Sequence, residues 1–280
     1  MPRFRTLVAV GLALCSSAFA QTPSHSTGST STNNGKVTIW PLGDSITEGA
    51  GAPGGYRAPL YQLLTTAGYK IAYVGSNQNK VETPLLTESG NAKHDGHGSY
   101  PSFFMMKNLD GLTPVKPAPD SNHGGFWLTG TPTRPAIQPD LVLLMAGTND
   151  LGMFQKTAQE TLTSYDLLLD KIFTLRPKIT VICATLAPYN GATMVNKRDY
   201  SKREAKQLEF NAGLPSLVAK HSAAGRRIVL CDMRQKLPAS SASALLTKDG
   251  VHPNEEGYKA IAATWFDAIR SAFPLKTPAK

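Results

Sequence analysis

Five stretches of the chain read as strands, 36–42, 70–76, 140–146, 179–185 and 227–232, and several of them are apolar almost throughout. In Asp140-Leu-Val-Leu-Leu-Met-Ala146 and Ile179-Thr-Val-Ile-Cys-Ala-Thr185 polar and apolar residues do not alternate, so neither face of such a strand meets water. Strands buried on both faces belong to a parallel sheet covered on each side. Between them the apolar period lengthens to that of a helix. Tyr56, Leu60, Leu63 and Leu64 share one face, as do Leu162, Tyr165, Leu169 and Ile172, and later Tyr258, Ile261, Trp265 and Ile269. Strands alternating with amphipathic helices, joined by right-handed crossovers, predict an α/β protein: a three-layer α/β/α sandwich around five parallel strands.

The pattern is least regular from Val81 to Gln138. A helix is expected around Pro101 to Leu109. Pro114-Val-Lys-Pro-Ala-Pro and Asn122-His-Gly-Gly-Phe-Trp-Leu-Thr-Gly130 read as extended loop. Long loops in compact domains are functional or disordered, and the pair Phe126-Trp127 argues against disorder. Phe126 and Trp127 are therefore candidate substrate-binding residues, with simple packing as the competing reading.

The N-terminus alters the picture of where the folded unit starts. Arg3 and Arg5, the apolar run Leu7 to Cys15 and then Ala18-Phe19-Ala20 have the build of an export signal over 1–20, cleaved near Ala20. Residues 21–35 form a lead-in rich in Ser, Thr, Gly and Asn, and one domain is expected over 36–275. No stretch is long and apolar enough to span a bilayer, so a secreted protein, extracellular or periplasmic, is expected. Losing Arg3 and Arg5 lowers the formal charge from +9 to +7, 27 basic residues against 20 acidic. The basic residues are scattered apart from Lys197-Arg198 and Lys202-Arg203, which read as a solvated helix face. Nothing points to nucleic acid, and a monomer is expected. Cys183 and Cys231 lie in interior strands, where buried thiols are expected in preference to a disulfide.

In open parallel sheets the reactive groups gather at the carboxyl ends of the strands. Ser45 follows the first strand, Asn149 the third, and Asp249 and His252 the fifth. A serine hydroxyl needs a base to take its proton, and the base needs a carboxylate to set its tautomer. Ser45, His252 and Asp249 can fill those roles. Pro253 suits a first helical position, which would make His252 the cap of the last helix. No Gly-x-Ser-x-Gly occurs, which excludes the usual nucleophile elbow of α/β-hydrolases.

Gly43-Asp-Ser45, Gly147-Thr-Asn-Asp150 and Asp249-Gly-Val-His252, in that order, resemble the blocks of the SGNH hydrolase, or GDSL-type esterase, superfamily. The resemblance implies a flavodoxin-like five-stranded sheet and a carboxylic ester hydrolase without cofactor or metal. Ser45 would be its nucleophile, Asp249 and His252 its acid and base, and Asn149 its side-chain oxyanion donor. Gly43-Asp-Ser-Ile-Thr-Glu-Gly49, Gly55-Tyr-Arg-Ala-Pro-Leu-Tyr61, Tyr73-Val-Gly-Ser76 and His94-Asp-Gly-His97 are similar to carbohydrate esterase family three, which includes acetylxylan esterases. There the second block reads His-x-Gly-His-Ser-Gly, whereas here it is His94-Asp-Gly-His-Gly-Ser-Tyr100. The backbone donor that this block implies, alongside the N–H of Ser45, is Gly98 or Ser99. The loop 111–135 is longer than the resemblance implies.

Other residues have plainer readings. Asp44 and Asp150 are expected to bond local turns, and Tyr56 and Arg57 to brace the first helix. His123 reads as loop surface. His94, Asp95 and His97 lack an obvious further metal ligand. The expected substrate is an acetylated polysaccharide or other small acyl ester. A lipase-like enzyme on the same scaffold and a noncatalytic carbohydrate-binding protein are the alternatives.

Overall fold

In a computed structural model that describes residues 36–78, 90–111, 125–189, 201–238, 240 and 242–275, every strand pairing of the sheet is parallel. The strands are β1 (Val37–Gly43), β2 (Ile71–Tyr73), β3 (Asp95–Gly96), β4 (Leu141–Met145), β5 (Thr180–Ala184) and β6 (Arg227–Cys231). Their order is β2-β1-β4-β5-β6, with β3 pairing to the last two residues of β1. The segments 1–20 and 21–35, the run Pro114–Pro119, His123 and Lys197-Arg198 lie outside the described residues.

Every residue of β4 and β5 is buried, as their unbroken apolar patterning requires. The helices are α1 (Ser45–Glu48), α2 (Arg57–Thr66), α3 (Ser102–Asn108), α4 (Thr148–Gly152), α5 (Ala158–Leu175), α6 (Ser201–Ala223), α7 (Ala242–Leu245) and α8 (Glu255–Ala272). α2 packs on α8, while α5 packs on α3 and α6. α2 with α8 covers one face of the sheet and α5 with α3 and α6 the other, and the two cysteines mark those faces. Register sets Cys183 beside Leu230 and Ala184 beside Cys231, so the two thiols point to opposite sides. Cys231 Sγ reaches the Thr264 carbonyl of α8 at 3.7 Å, and Cys183 faces Tyr165 of α5. Both are free and buried, as expected, and burial pushes the Cys183 thiol up to about 12.

Three boundaries differ from the patterning. β2 stops at Tyr73 because Gly75 backs directly onto His94, where a Cβ would lie 2.3 Å from backbone. β3 is two residues long and polar, too short to carry any period, and makes a sixth strand off the path of five. The cap of α8 is Asn254, whose side chain accepts from the Gly257 N–H at 3.0 Å, which corrects the placement of His252 as cap and Pro253 as first helical residue. Pro253 instead bridges to Leu246, and the Asn254 N–H donates to the Leu245 carbonyl at 3.0 Å. His252 is thus held by a loop folded against α7.

Candidate active site

β1 ends at Gly43 and turns at once into α1. A Cβ on Gly43 would lie 2.3 Å from Thr47 Oγ1 and 2.4 Å from the Met145 carbonyl oxygen, so only glycine lets the turn close against β4. Asp44 caps the helix, its Oδ1 accepting from the Ile46 N–H at 3.0 Å, and Ser45 occupies the first helical position. Gly49, at φ 102°, ends the helix after four residues. Burial pushes the Asp44 carboxyl up to about 6, although the Ile46 N–H draws it back. Arg57 is buried beneath α1 and donates to the Glu48 carbonyl and the Ala92 carbonyl, both at 3.0 Å, so it braces the helix as expected. Tyr56 lies buried beside it.

The α7–α8 loop faces this turn. Ser45 Oγ lies 2.9 Å from His252 Nε2, and His252 Nδ1 lies 2.6 Å from Asp249 Oδ2. The other oxygen, Asp249 Oδ1, accepts from Val251 N at 2.8 Å, His252 N at 2.9 Å and Thr247 Oγ1 at 2.8 Å. Burial tends to raise the Asp249 carboxyl. Bonds from the His252 side chain and from the backbone and Thr247 outweigh it and hold the group down to about 2. An ionised carboxylate fixed against Nδ1 leaves Nε2 as the ring's acceptor toward Ser45.

The second block enters through β3. The His97 N–H donates to the Gly43 carbonyl at 3.1 Å, and the Tyr100 N–H closes the turn on the His97 carbonyl at 3.2 Å. Gly96 lies against the backbone of α1, where a Cβ would come 2.2 Å from the Glu48 nitrogen. Ser99 takes φ 64°, the left-handed conformation that glycine favours, at a cost of about 1–2 kcal/mol for a residue with a Cβ. It stands where the resemblance expects glycine. At Gly98 a Cβ would sit 3.0 Å from Glu48 Oε2, so the residue without a side chain is the one packed on the carboxylate. Asn149, in the first turn of α4, donates from Nδ2 to the Tyr100 carbonyl at 3.1 Å. An amide nitrogen carries two hydrogens, so this contact fixes the amide plane and directs the second N–H elsewhere.

The aromatic pair separates. Phe126 is 39% exposed and lies over Gly111, whereas Trp127 is 1% exposed. Trp127 stacks on His97 at 5.2 Å and 5° and meets Trp40 edge-on at 6.1 Å. With those contacts it offers no open ring face to a sugar, which corrects its reading as a substrate-binding wall. Asp150 is buried and accepts from Ser102 N at 2.7 Å, Ser102 Oγ at 2.9 Å and Lys156 Nζ at 3.2 Å, tying α3 to α4. Asp95 accepts from Trp40 Nε1 at 2.6 Å, Ser76 N at 3.0 Å, Ser76 Oγ and His97 Nε2 at 3.2 Å. His94 Nδ1 accepts from the Gly96 N–H at 3.0 Å, so the His94–His97 run serves backbone and carboxylate.

Asp166, Asp170 and His221 have metal-ligand spacing on α5 and α6, but Lys220 and Arg226 already neutralise the two carboxylates. Both His221 nitrogens are engaged, by Asp166 at 2.8 Å and Arg226 at 2.5 Å. Arg226 directly precedes β6, so this cluster lies at the sheet edge opposite Ser45. Two contributors escaped the sequence reading. The Tyr100 carbonyl left no signal because any residue supplies one. Thr247, two residues before Asp249, was visible as a hydroxyl within reach of an Asp turn.

A parallel α/β sheet with serine, histidine and aspartate hydrogen-bonded in series at its carboxyl edge is the architecture of an acyl hydrolase. The chain belongs to the GDSL-like lipase/acylhydrolase family, whose model matches residues 111–260. A family 3 carbohydrate esterase of Clostridium thermocellum is 28% identical, covering 84% of this chain and 98% of its own, with a TM-score of 0.62. A family 3 carbohydrate esterase from Talaromyces cellulolyticus, 22% identical over 86% of this chain and all of its own, shares the fold with a TM-score of 0.62. A multidomain esterase of Ruminococcus flavefaciens is 25% identical over 237 residues, 84% of this chain. The chain spans 28% of that relative's length. The domain is thus of GDSL acylhydrolase type and similar to family 3 carbohydrate esterases. Among the described residues no helix is long and apolar enough to cross a membrane.

Proposed function

We propose that the protein is a secreted serine esterase that removes acetyl groups from plant cell-wall polysaccharide such as acetylxylan. The observation that carries this reading is the series Ser45–His252–Asp249, closed at 2.9 and 2.6 Å on a scaffold close to family 3 carbohydrate esterases. His252 Nε2 takes the proton of Ser45 Oγ as the oxygen attacks the ester carbonyl. The oxyanion accepts from the Ser45 N–H, from an N–H of Gly98 or Ser99, and from Asn149 Nδ2. His252 then passes that proton to the departing sugar oxygen as its bond to the carbonyl carbon breaks, leaving an acetyl group on Ser45 and a free sugar hydroxyl. Water repeats the sequence and releases acetate. The first-turn N–H of α1 suits this role because helix N-termini leave such donors without intrahelical partners. The build of residues 1–20 supports export.

Removing one oxyanion donor costs about 10²- to 10³-fold in rate. Asn149→Ala is therefore expected to lower kcat on 4-nitrophenyl acetate by that factor, with an unchanged far-ultraviolet spectrum. A variant keeping more than about half the wild-type kcat would remove Asn149 from the reaction.

One observation favours a longer-chain substrate instead. Met153 and Phe154 are 48% and 38% exposed, directly after the helix that carries Asn149, and Phe154 packs on Phe103 and Phe104. Nitrophenyl esters from acetyl to octanoyl separate the readings. A deacetylase loses kcat/KM sharply beyond propionyl, whereas flat or rising values support the lipase-like reading. Acetate release measured side by side on acetylated xylan, pectin and chitin then tests the sugar, with xylan expected to be fastest.

A further inference from the structure

We infer that His97 is a positioning residue that indexes the oxyanion donors to the sheet through its contact with Asp95. The inference rests on the acyl-transfer reading of the site. His97 is 1% exposed, lies nearly parallel to Trp127 at 5.2 Å, and stacks on Tyr100 at 4.7 Å and 24°. Stacking alone would let the ring slide and rotate in its own plane. The contact from Nε2 to Asp95 Oδ1, 3.2 Å, removes that freedom. Asp95 cannot follow the ring, because Trp40 Nε1 and the backbone and hydroxyl of Ser76 hold it. It also stands in register with Leu42, two residues before Asp44, on the strand that delivers Ser45.

The ring is thus referenced to the same strand as the nucleophile. From His97 the chain makes a single turn to Tyr100, and that turn carries everything the second block contributes. Its middle holds the N–H groups of Gly98 and Ser99. Its end holds the Tyr100 carbonyl, which sets the plane of the Asn149 amide at 3.1 Å. Two of the three oxyanion donors therefore sit on one turn, which is tied to β1 by the His97 N–H on the Gly43 carbonyl at 3.1 Å and locked against Asp95 by the buried imidazole. A misplacement of about 1 Å in such a donor can cost about 10²-fold. Histidine fits this task where phenylalanine would not, since only the imidazole joins a stacking face to an in-plane anchor.

The test is a double-mutant cycle on 4-nitrophenyl acetate with His97→Phe, which keeps the stack and loses the anchor, alone and with Asn149→Ala. His97→Phe is expected to lower kcat by about 10- to 100-fold while KM stays within about twofold. In the Asn149→Ala background the same substitution is expected to cost at least about threefold less, because part of its effect runs through that amide. A purely structural role would give the same factor in both backgrounds, and that result, or a His97→Phe kcat within about twofold of wild type, would overturn the inference. If Asn149→Ala alone is nearly as active as wild type, the oxyanion reading itself fails, which is a different outcome. Thermal melting checks each variant. Should His97→Phe not fold, His97→Leu, which likewise offers Asp95 no N–H, is carried through the same cycle under the same criteria.

Discussion

Ser45→Ala and His252→Ala are each expected to lower kcat by about 10⁶-fold, and the double variant is expected to be scarcely slower than either. The non-additivity follows from the 2.9 Å contact between Ser45 Oγ and His252 Nε2. A hydroxyl without a base is almost unreactive at neutral pH, and a base without a hydroxyl has nothing to activate. What remains, about 10³- to 10⁴-fold over water, comes from the oxyanion donors and from binding, which neither substitution touches. Initial rates of acetate release at high enzyme concentration measure the effect. Two independent losses that multiply in the double variant would show that Ser45 and His252 do not act as one unit.

Asp249→Asn is expected to lower kcat by about 10⁴-fold with little change in fold. Asp249 Oδ1 accepts from two backbone N–H groups and the Thr247 hydroxyl, so the carbonyl oxygen of an introduced amide takes that site. Its NH₂ is then forced against His252 Nδ1, which must become an acceptor. The imidazole proton moves to Nε2, facing Ser45, and the ring can no longer take the serine proton. Thr247→Val, which removes only one of the three bonds, is expected to have a far smaller effect in the same assay. Asp249 itself does not shape the pH profile near neutrality. Its carboxyl sits at about 2 when folded, below its ordinary value of 3.8. Its contribution to stability is therefore complete above about pH 4 and is lost as pH falls through about 2.

The layers of the fold were legible because burial on both faces leaves a mark in the sequence. β4 and β5 read as unbroken apolar runs, and α5 and α8 as stripes at helical spacing. β3 was not legible, since two residues, Asp95 and Gly96, show no period; they pair with the last two residues of β1, Leu42 and Gly43. The position of Ser45 followed from a glycine turn directly behind a strand. The cap of α8 was misplaced because Pro253 is equally at home in the bridge that the loop makes with Leu246. Trp127 looked like a binding residue because it lies in an irregular, aromatic stretch. Its burial depends on His97 and Trp40, which come to it from other parts of the chain, and local pattern carries no record of such contacts. The exchange of glycine and serine at positions 98 and 99 was visible, but the packing of the Glu48 side chain against Gly98 is tertiary and was not.

The central claim is that Ser45 is a nucleophile activated by His252. Incubating the folded protein with a fluorophosphonate and mapping the adduct by peptide mass spectrometry tests it most directly. Stoichiometric modification of Ser45, abolished in His252→Ala, is the expected result. An unmodified Ser45 in protein that is demonstrably folded, or labelling that persists unchanged in His252→Ala, would contradict it.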